Sequence, residues 1–315
     1  MRRDLDHLPA NKQRELERVV QLIFEEFQDV TACASERRKK AGRILKVILY
    51  GSYARGGWVD EPHTAKGYKS DFDLLIIVND KDLTDRVKYW ARLDDRLMRE
   101  YGINGTLKTP VNFIVHTLGE VNDGLAHGRY FFMDVAKDGI ALYEADDTEL
   151  HTPKPKTPEQ ALAMAKEYFE EWYPTGGEFF DNFRFNFELG RYNNAAFQLH
   201  QAAERLYHTI LLVVSFYTPH VHNLAFLRNQ AEKIDRRLIF VWPSEQKRQR
   251  SMFEKLKEAY VKARYSKHFT INSEELNWLG EQVQELSRVV HAVCAERMAV
   301  LQDQVEIRGV GAAEN

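Results

Sequence analysis

The chain has 315 residues, about two domains' worth, and with 44% hydrophobic residues it can bury substantial cores. Its 44 basic and 47 acidic side chains leave a formal charge of −3, which excludes a global electrostatic drive toward nucleic acid or anionic lipid and leaves room only for local basic patches. The two cysteines, Cys33 and Cys294, are far apart and without metal-type spacing, so neither a disulfide framework nor a zinc site is indicated and a reducing cytoplasm fits.

In chain order, the opening MRRDLDHLPANKQRELERVV is charged where a signal peptide needs an apolar core, and runs such as TILLVVSF are too short to cross a bilayer. A cytoplasmic protein with no membrane partner is the expectation. From Asn11 to about Lys40 the residues Leu16, Val19, Val20, Ile23, Phe24 and Phe27 recur at helical spacing. The cations that follow, RRKKAGR, complement a helix C-terminus that Gly42 can cap, the alternative being a nucleic-acid patch. ILKVILY (44–50), DLLIIV (73–78) and TPVNFIVHT (109–117) read as strands, the second buried on both faces. DLTDRVKYWARLDDRLMREYG, closed by Gly102, reads as one helix between the last two, and a helical stretch over 119–139 precedes an edge element, IALYEA. This is an α/β mixed sheet, assigned to 1–145. The segment 146–158 reads as a linker because DDTELHTPKPKTPEQ holds three prolines and no apolar period. Beyond it the pattern is helical throughout, with helices over 158–173, 177–189, 191–217, 223–236, 244–264 and 273–304. That gives an all-α bundle over 159–305 and a tail over 306–315, of which GVGAAEN is expected to fray.

The chemistry concentrates between the first two strands. Asp71 and Asp73 stand two apart at the start of a strand, so their carboxylates share a face. Two such anions repel unless a proton or a divalent cation sits between them, and Mg²⁺ (or Mn²⁺) is the ion such a pair uses with phosphate substrates. Gly51 and Ser52 leave the preceding strand in a turn where backbone N–H groups and a hydroxyl can approach an anion, with Arg55 as a nearby fixed charge.

The order strand, G-S-x-x-R-G, then S-D-x-D on the next strand, resembles the nucleotidyltransferase superfamily of DNA polymerase beta, closest to its minimal and kanamycin-nucleotidyltransferase-like branches, over roughly residues 40–145. The resemblance implies that Gly51 and Ser52 contact nucleotide phosphates, that Asp71 and Asp73 bind metal, and that an NTP, ATP first, donates a nucleoside monophosphate to a hydroxyl with release of pyrophosphate. The acceptor is open between a small molecule, a protein and an RNA end, so nucleic acid enters only as acceptor. A catalytically weak nucleotide-sensing module of a defence or toxin–antitoxin system is the alternative. One departure is Asn112, which stands where the superfamily commonly carries a third carboxylate; it can offer an amide oxygen to a metal but is no general base. Glu120 and Glu178 are candidate bases, with unassisted acceptor activation or lost transfer as alternatives. The other departure is the longer stretch GWVDEPHTAKGYK, in which Trp58, His63, Lys66 and Tyr68 form either a covering loop or an ordinary hairpin.

RYNNAAFQLHQAAERLYHTILLVVSFYTPHVHNLAFL resembles the HEPN family, most closely the non-ribonuclease branch typified by the sacsin domain. The Arg, four to six residues, His spacing of ribonuclease members is missing from 158–304, which disfavours RNA cleavage. Arg264 and Lys267 in ARYSKHF are candidate phosphate contacts, because that family includes nucleotide binders, or they satisfy a helix end. His200, Glu204 and His208 share a helix face, either as a ligand-facing stripe or as ordinary buried hydrogen-bonding groups. Phe179, Phe180, Phe183, Phe185 and Phe187 are too dense for one face. With Leu211 to Val214 they predict a homodimer through the helical half.

Overall fold

The structure is a computed structural model that describes residues 1–32, 42–59, 70–145, 149–219 and 221–313. The chain divides into two units, Met1–Pro155 and Lys156–Asn315. The first is a mixed sheet with helices on it, and the second is all helix.

In the first unit the long helix α1 (Ala10–Ala32) precedes β1 (Ile44–Tyr50), a short helix α2 (Gly51–Arg55) and β2 (Phe72–Val78). A 3₁₀ turn (Lys81–Thr84), α3 (Arg86–Tyr89) and α4 (Ala91–Gly102) lead to β3 (Val111–Thr117), followed by α5 (Leu118–Ala126), α6 (Tyr130–Asp138) and β4 (Ile140–Glu144). The sheet order is β3-β2-β1-β4. Only β2 and β3 are parallel, as the helical crossover between them requires, and β1 is antiparallel to both its neighbours. Every residue of β1 and β2 is buried, which is why neither strand shows the alternation of a half-exposed sheet. Leu16, Val19, Leu22, Ile23 and Phe27 of α1 form one core with Val47, Leu49, Leu74 and Ile76 of the sheet and Trp90, Leu93 and Leu97 of the crossover.

The crossover is not the single helix that its periodicity predicts. Asp80 accepts from the N–H of Asp82 and Asp85 from that of Lys88, so two acidic caps in succession stop and restart the helix. Buried Trp90 makes the second break, its indole N–H donating to the Leu83 carbonyl at 2.7 Å.

The second unit contains α7 (Pro158–Glu188), α8 (Tyr192–Ser215), α9 (Leu224–Ile234), a 3₁₀ turn (Arg236–Val241), α10 (Lys247–Tyr265) and α11 (Ser273–Ala313). The apolar residues of α8 lie all round it because it is the central helix, packed by α7, α9, α10 and α11. Two expectations fail here. The stretch read as two helices over 158–173 and 177–189 is one helix that runs through Pro174. Thr157 and Gln160 close a capping box at its start, and Gly176 lies so close to Leu206 that a β-carbon there would stand 3.2 Å from it. Packing against α8 outweighs the hydrogen bond that proline removes. The tail also differs: the last helix, expected to end at 304, continues as α11 to Ala313, with Arg308 reaching Glu159 at 3.4 Å, and takes in most of the GVGAAEN stretch expected to fray. Among the described residues no helix is long and apolar enough to cross a membrane.

Candidate active site

The register of β1 against β2 sets Tyr50 opposite Asp73, so the chain leaving β1 passes over the first residues of β2. Gly51 makes that passage with φ +78°, and a β-carbon there would lie 2.6 Å from Asp73 Oδ2. Both the backbone angle and the space demand glycine. Gly51-Ser52 is not an open turn, however: it is the beginning of α2, a helix of five residues that ends on Gly56 at φ +77°. The N-terminal segment braces the far end of α2. Arg2 donates to the Ala54 carbonyl at 2.5 Å and His7 Nε2–H to the Tyr53 carbonyl at 2.8 Å.

Asp71 and Asp73 are both buried, at 7% and 0% exposure, and sit on one face at the start of β2. Asn112 is the register partner of Asp73 on β3 and joins the same face. Its amide Nδ2–H donates to Asp71 Oδ2 at 2.8 Å. A carboxylate only accepts, so the direction of this bond is set by chemistry, and Oδ1 is the amide atom of Asn112 with the lone pairs to ligate a cation. Two buried carboxylates and an amide oxygen are hard oxygen ligands of the kind Mg²⁺ takes, and the side-chain-free Gly51 is packed directly over Asp73. Among the described residues no group of three or more His, Cys, Asp or Glu forms a metal cluster, so the pair with its amide is the donor set the sheet offers.

Glu120 lies elsewhere. It follows Thr117, which is five residues along β3 from Asn112, about 16 Å at the strand rise, and so stands at the other end of the sheet. It closes a capping box with Thr117, accepting from the Thr117 N–H at 2.9 Å, and it meets His116 at 3.2 Å and Lys81. The hydrogen bond from His116, opposed by burial and reinforced by Lys81 and the Thr117 N–H, holds its carboxyl far below the usual range. A weak base committed to a helix cap is not a proton acceptor for this site. Glu178 is exposed on α7, in the second unit. Arg55 is exposed at the end of α2, and its charge only partly opposes the burial and the neighbouring Asp138 that push the Asp134 carboxyl up. Trp58 stacks on Tyr53, ring centroids 5.4 Å apart, and Val59 and Ser70 are paired by Ser70 N–H to Val59 O at 2.8 Å and Val59 N–H to Ser70 Oγ at 2.9 Å. His63, Lys66 and Tyr68 lie outside the described residues.

Sequence reasoning missed the groups of α1 that hold the entrance to β3. Glu15 accepts from the N–H groups of Lys108 and Thr109, both at 2.9 Å, and buried Lys12 donates to the Thr109 hydroxyl. The readable signal was the helical spacing that puts Lys12 and Glu15 beside Leu16 and Val19 on the face α1 turns inward.

In the helical unit, His200 is fully buried and its Nδ1–H donates to the Leu256 carbonyl at 2.9 Å. Glu204 is 3.3 Å from His200 and 3.1 Å from His222, and His208 bonds the Thr218 hydroxyl at 2.6 Å. Burial pushes the Glu204 carboxyl up, but His200 and His222 outweigh it and leave the group below its ordinary range. The stripe is thus a hydrogen-bonded knot that ties the segment after α8 to the bundle. Arg264 is exposed, donates Nε–H to the Tyr260 carbonyl at 2.7 Å and lies 4.5 Å from the centre of the Tyr260 ring; Lys267 is exposed nearby. Phe183, Leu211, Leu212 and Val213, expected to contribute to a dimer surface, are buried within the chain itself.

The sheet order, the strand-borne aspartate pair and the glycine laid over it define a nucleotidyltransferase-type domain. The HEPN domain family matches residues 169–295. A relative from Methanocaldococcus jannaschii, named "Putative protein adenylyltransferase MJ0604", is 34% identical over 107 residues, which is 34% of this chain and 86% of that protein. The solved structure of a nucleotidyltransferase-like protein from Exiguobacterium sibiricum 255-15 aligns with 88% of this chain and 77% of its own at 14% identity, with a TM-score of 0.27. The chain belongs to the nucleotidyltransferase family, with a HEPN domain in its helical unit.

Proposed function

We propose that the first unit transfers a nucleoside monophosphate from an NTP, ATP first, to a hydroxyl group and releases pyrophosphate. The observation that carries this reading is the pair Asp71 and Asp73, buried together on one strand face beneath a glycine whose β-carbon would collide with Asp73. Asp71, Asp73 and Asn112 Oδ1 would hold Mg²⁺, which supplies charge neutralisation for the triphosphate and for the leaving pyrophosphate. The chain's own residues do the rest. Gly51 lets the nucleotide approach the carboxylates, Ser52 offers a hydroxyl to its phosphates, and exposed Arg55 adds a positive charge at the rim. The acceptor hydroxyl oxygen bonds the α-phosphorus while the bond from that phosphorus to the α,β-bridging oxygen breaks, the electron pair leaving with pyrophosphate and the hydroxyl proton passing to solvent. A protein hydroxyl is the acceptor class favoured by the name of the Methanocaldococcus jannaschii relative. We also propose a cytoplasmic homodimer formed through the helical unit.

Incubation of the full chain with each α-labelled NTP, Mg²⁺ and a panel of protein acceptors tests the reading. Label transfer with pyrophosphate release is expected, and its loss in an Asp71→Asn/Asp73→Asn variant that melts normally. Because Asn112 is no base and Glu120 lies at the other end of the sheet, a nucleotide-sensing module is the second reading. It prevails if ATP binds in an aspartate-dependent way and no acceptor is labelled.

A further inference from the structure

Asn112 is the residue at which this site departs from a carboxylate triad, and its hydrogen bond says what the departure does. Asp71 and Asp73 project from one face of β2, and Asn112 joins that face from the neighbouring parallel strand, opposite Asp73. The Asn112 amide donates to Asp71 Oδ2 at 2.8 Å. An aspartate in its place would bring two carboxylate oxygens to about hydrogen-bond distance. Two such anions coexist only with a shared proton or a cation between them. In this chain the positive end of the amide dipole occupies that position. Asp71 is thereby oriented, with its Oδ2 turned toward β3.

The cap on β3 supports this assignment. Glu15 accepts from the N–H groups of Lys108 and Thr109 and Lys12 donates to the Thr109 hydroxyl, so the segment that delivers Asn112 is tied to α1 by charged groups buried in the domain. Asn112 is held in register by the same lattice that holds Asp73, and a strand slip of one residue would turn its amide to the opposite face.

We propose that Asn112 is a positioning residue that makes this a single-ion site: its amide orients Asp71 toward one divalent cation and stands where a third carboxylate would recruit a second. The use of that ion rests on the nucleotidyl-transfer reading, but the number of ions is read without turnover.

The test counts Mn²⁺ bound to the full chain by electron paramagnetic resonance, in the presence of α,β-methylene-ATP, which cannot undergo the transfer. Wild type is expected to bind one Mn²⁺ that Asp71→Asn/Asp73→Asn abolishes. Asn112→Asp is expected to bind two, with the second lost as the pH is lowered and the new carboxyl pair takes up a proton instead. Asn112→Ala is expected to keep one ion at roughly tenfold or more weaker affinity, the cost of removing a partner that orients a ligand. Thermal melts of each variant separate these effects from misfolding. Two ions in wild type, or an unchanged count in a folded Asn112→Asp, overturns the single-ion assignment while leaving nucleotidyl transfer standing. No aspartate-dependent Mn²⁺ in wild type overturns both.

Discussion

Gly51 ties the backbone to the chemistry more tightly than any other residue of the first unit. Its φ of +78° is costly for an L side chain, and the 2.6 Å approach to Asp73 Oδ2 leaves no room for a methyl group. Gly51→Ala should therefore cost about 1–2 kcal/mol of stability, measurable by urea unfolding. It should also displace Asp73. ATP affinity measured calorimetrically with Mg²⁺ is expected to fall at least tenfold, and unchanged affinity would remove Gly51 from the site. By contrast Cys294 is chemically quiet. Burial pushes its thiol up to about 12, so slow labelling by a thiol reagent in the folded chain is the natural consequence.

Among the elements, the start of α5 shows how a residue read as catalytic turns out to be a cap. Glu120 meets Lys81, His116 and the Thr117 N–H, and its folded-state carboxyl is more acidic than in the unfolded chain. Its contribution to stability is therefore complete above the unfolded value near pH 4.3 and is lost as the pH falls from there toward the folded value. Glu120→Gln should lower stability at pH 7 by only about 0.5–1 kcal/mol, since the carboxylate is a third exposed to screening solvent. In melts from pH 7.5 down to pH 3 the gap between the two proteins should narrow as the unfolded chain takes up the proton. A gap that stays constant with pH would mean that packing, not charge, is what the substitution changes. In the transfer assay the same variant should keep its activity, because Glu120 stands about 16 Å along the strand from Asn112.

At the scale of the whole molecule, the surface available for self-association is smaller than the apolar count of the helical half implies. Phe183 and Leu211 to Val213 are consumed by the bundle around α8, while Phe185 and Leu189 near the end of α7 are 58% and 52% exposed. The proposed homodimer would cover these two. Light scattering at micromolar concentration should give about twice the chain mass of 36.8 kDa, and Phe185→Glu should return the protein to that mass. A monomeric wild type ends the proposal.

Much of this was legible in the residues themselves. The strands β1 and β2 announced themselves as continuous apolar runs because both are covered on both faces, and the helical half did so through its apolar pattern. That Asp71 and Asp73 share a face was legible because strand alternation puts i and i+2 on one side, whereas Gly51 read as part of a turn and is the first residue of a short helix. What the tertiary structure alone decided is which side chains meet across the sheet. Sequence spacing could not show that Asn112 donates to Asp71, that Glu120 stands at the other end of β3, or that Lys12 and Glu15 hold the entrance to that strand. Nor could local propensity foresee one helix through Pro174, since the burial that overrides the missing hydrogen bond comes from α8, a separate helix beginning at Tyr192. Local rules act over a turn or a strand, whereas these outcomes depend on register and packing between segments far apart in the chain.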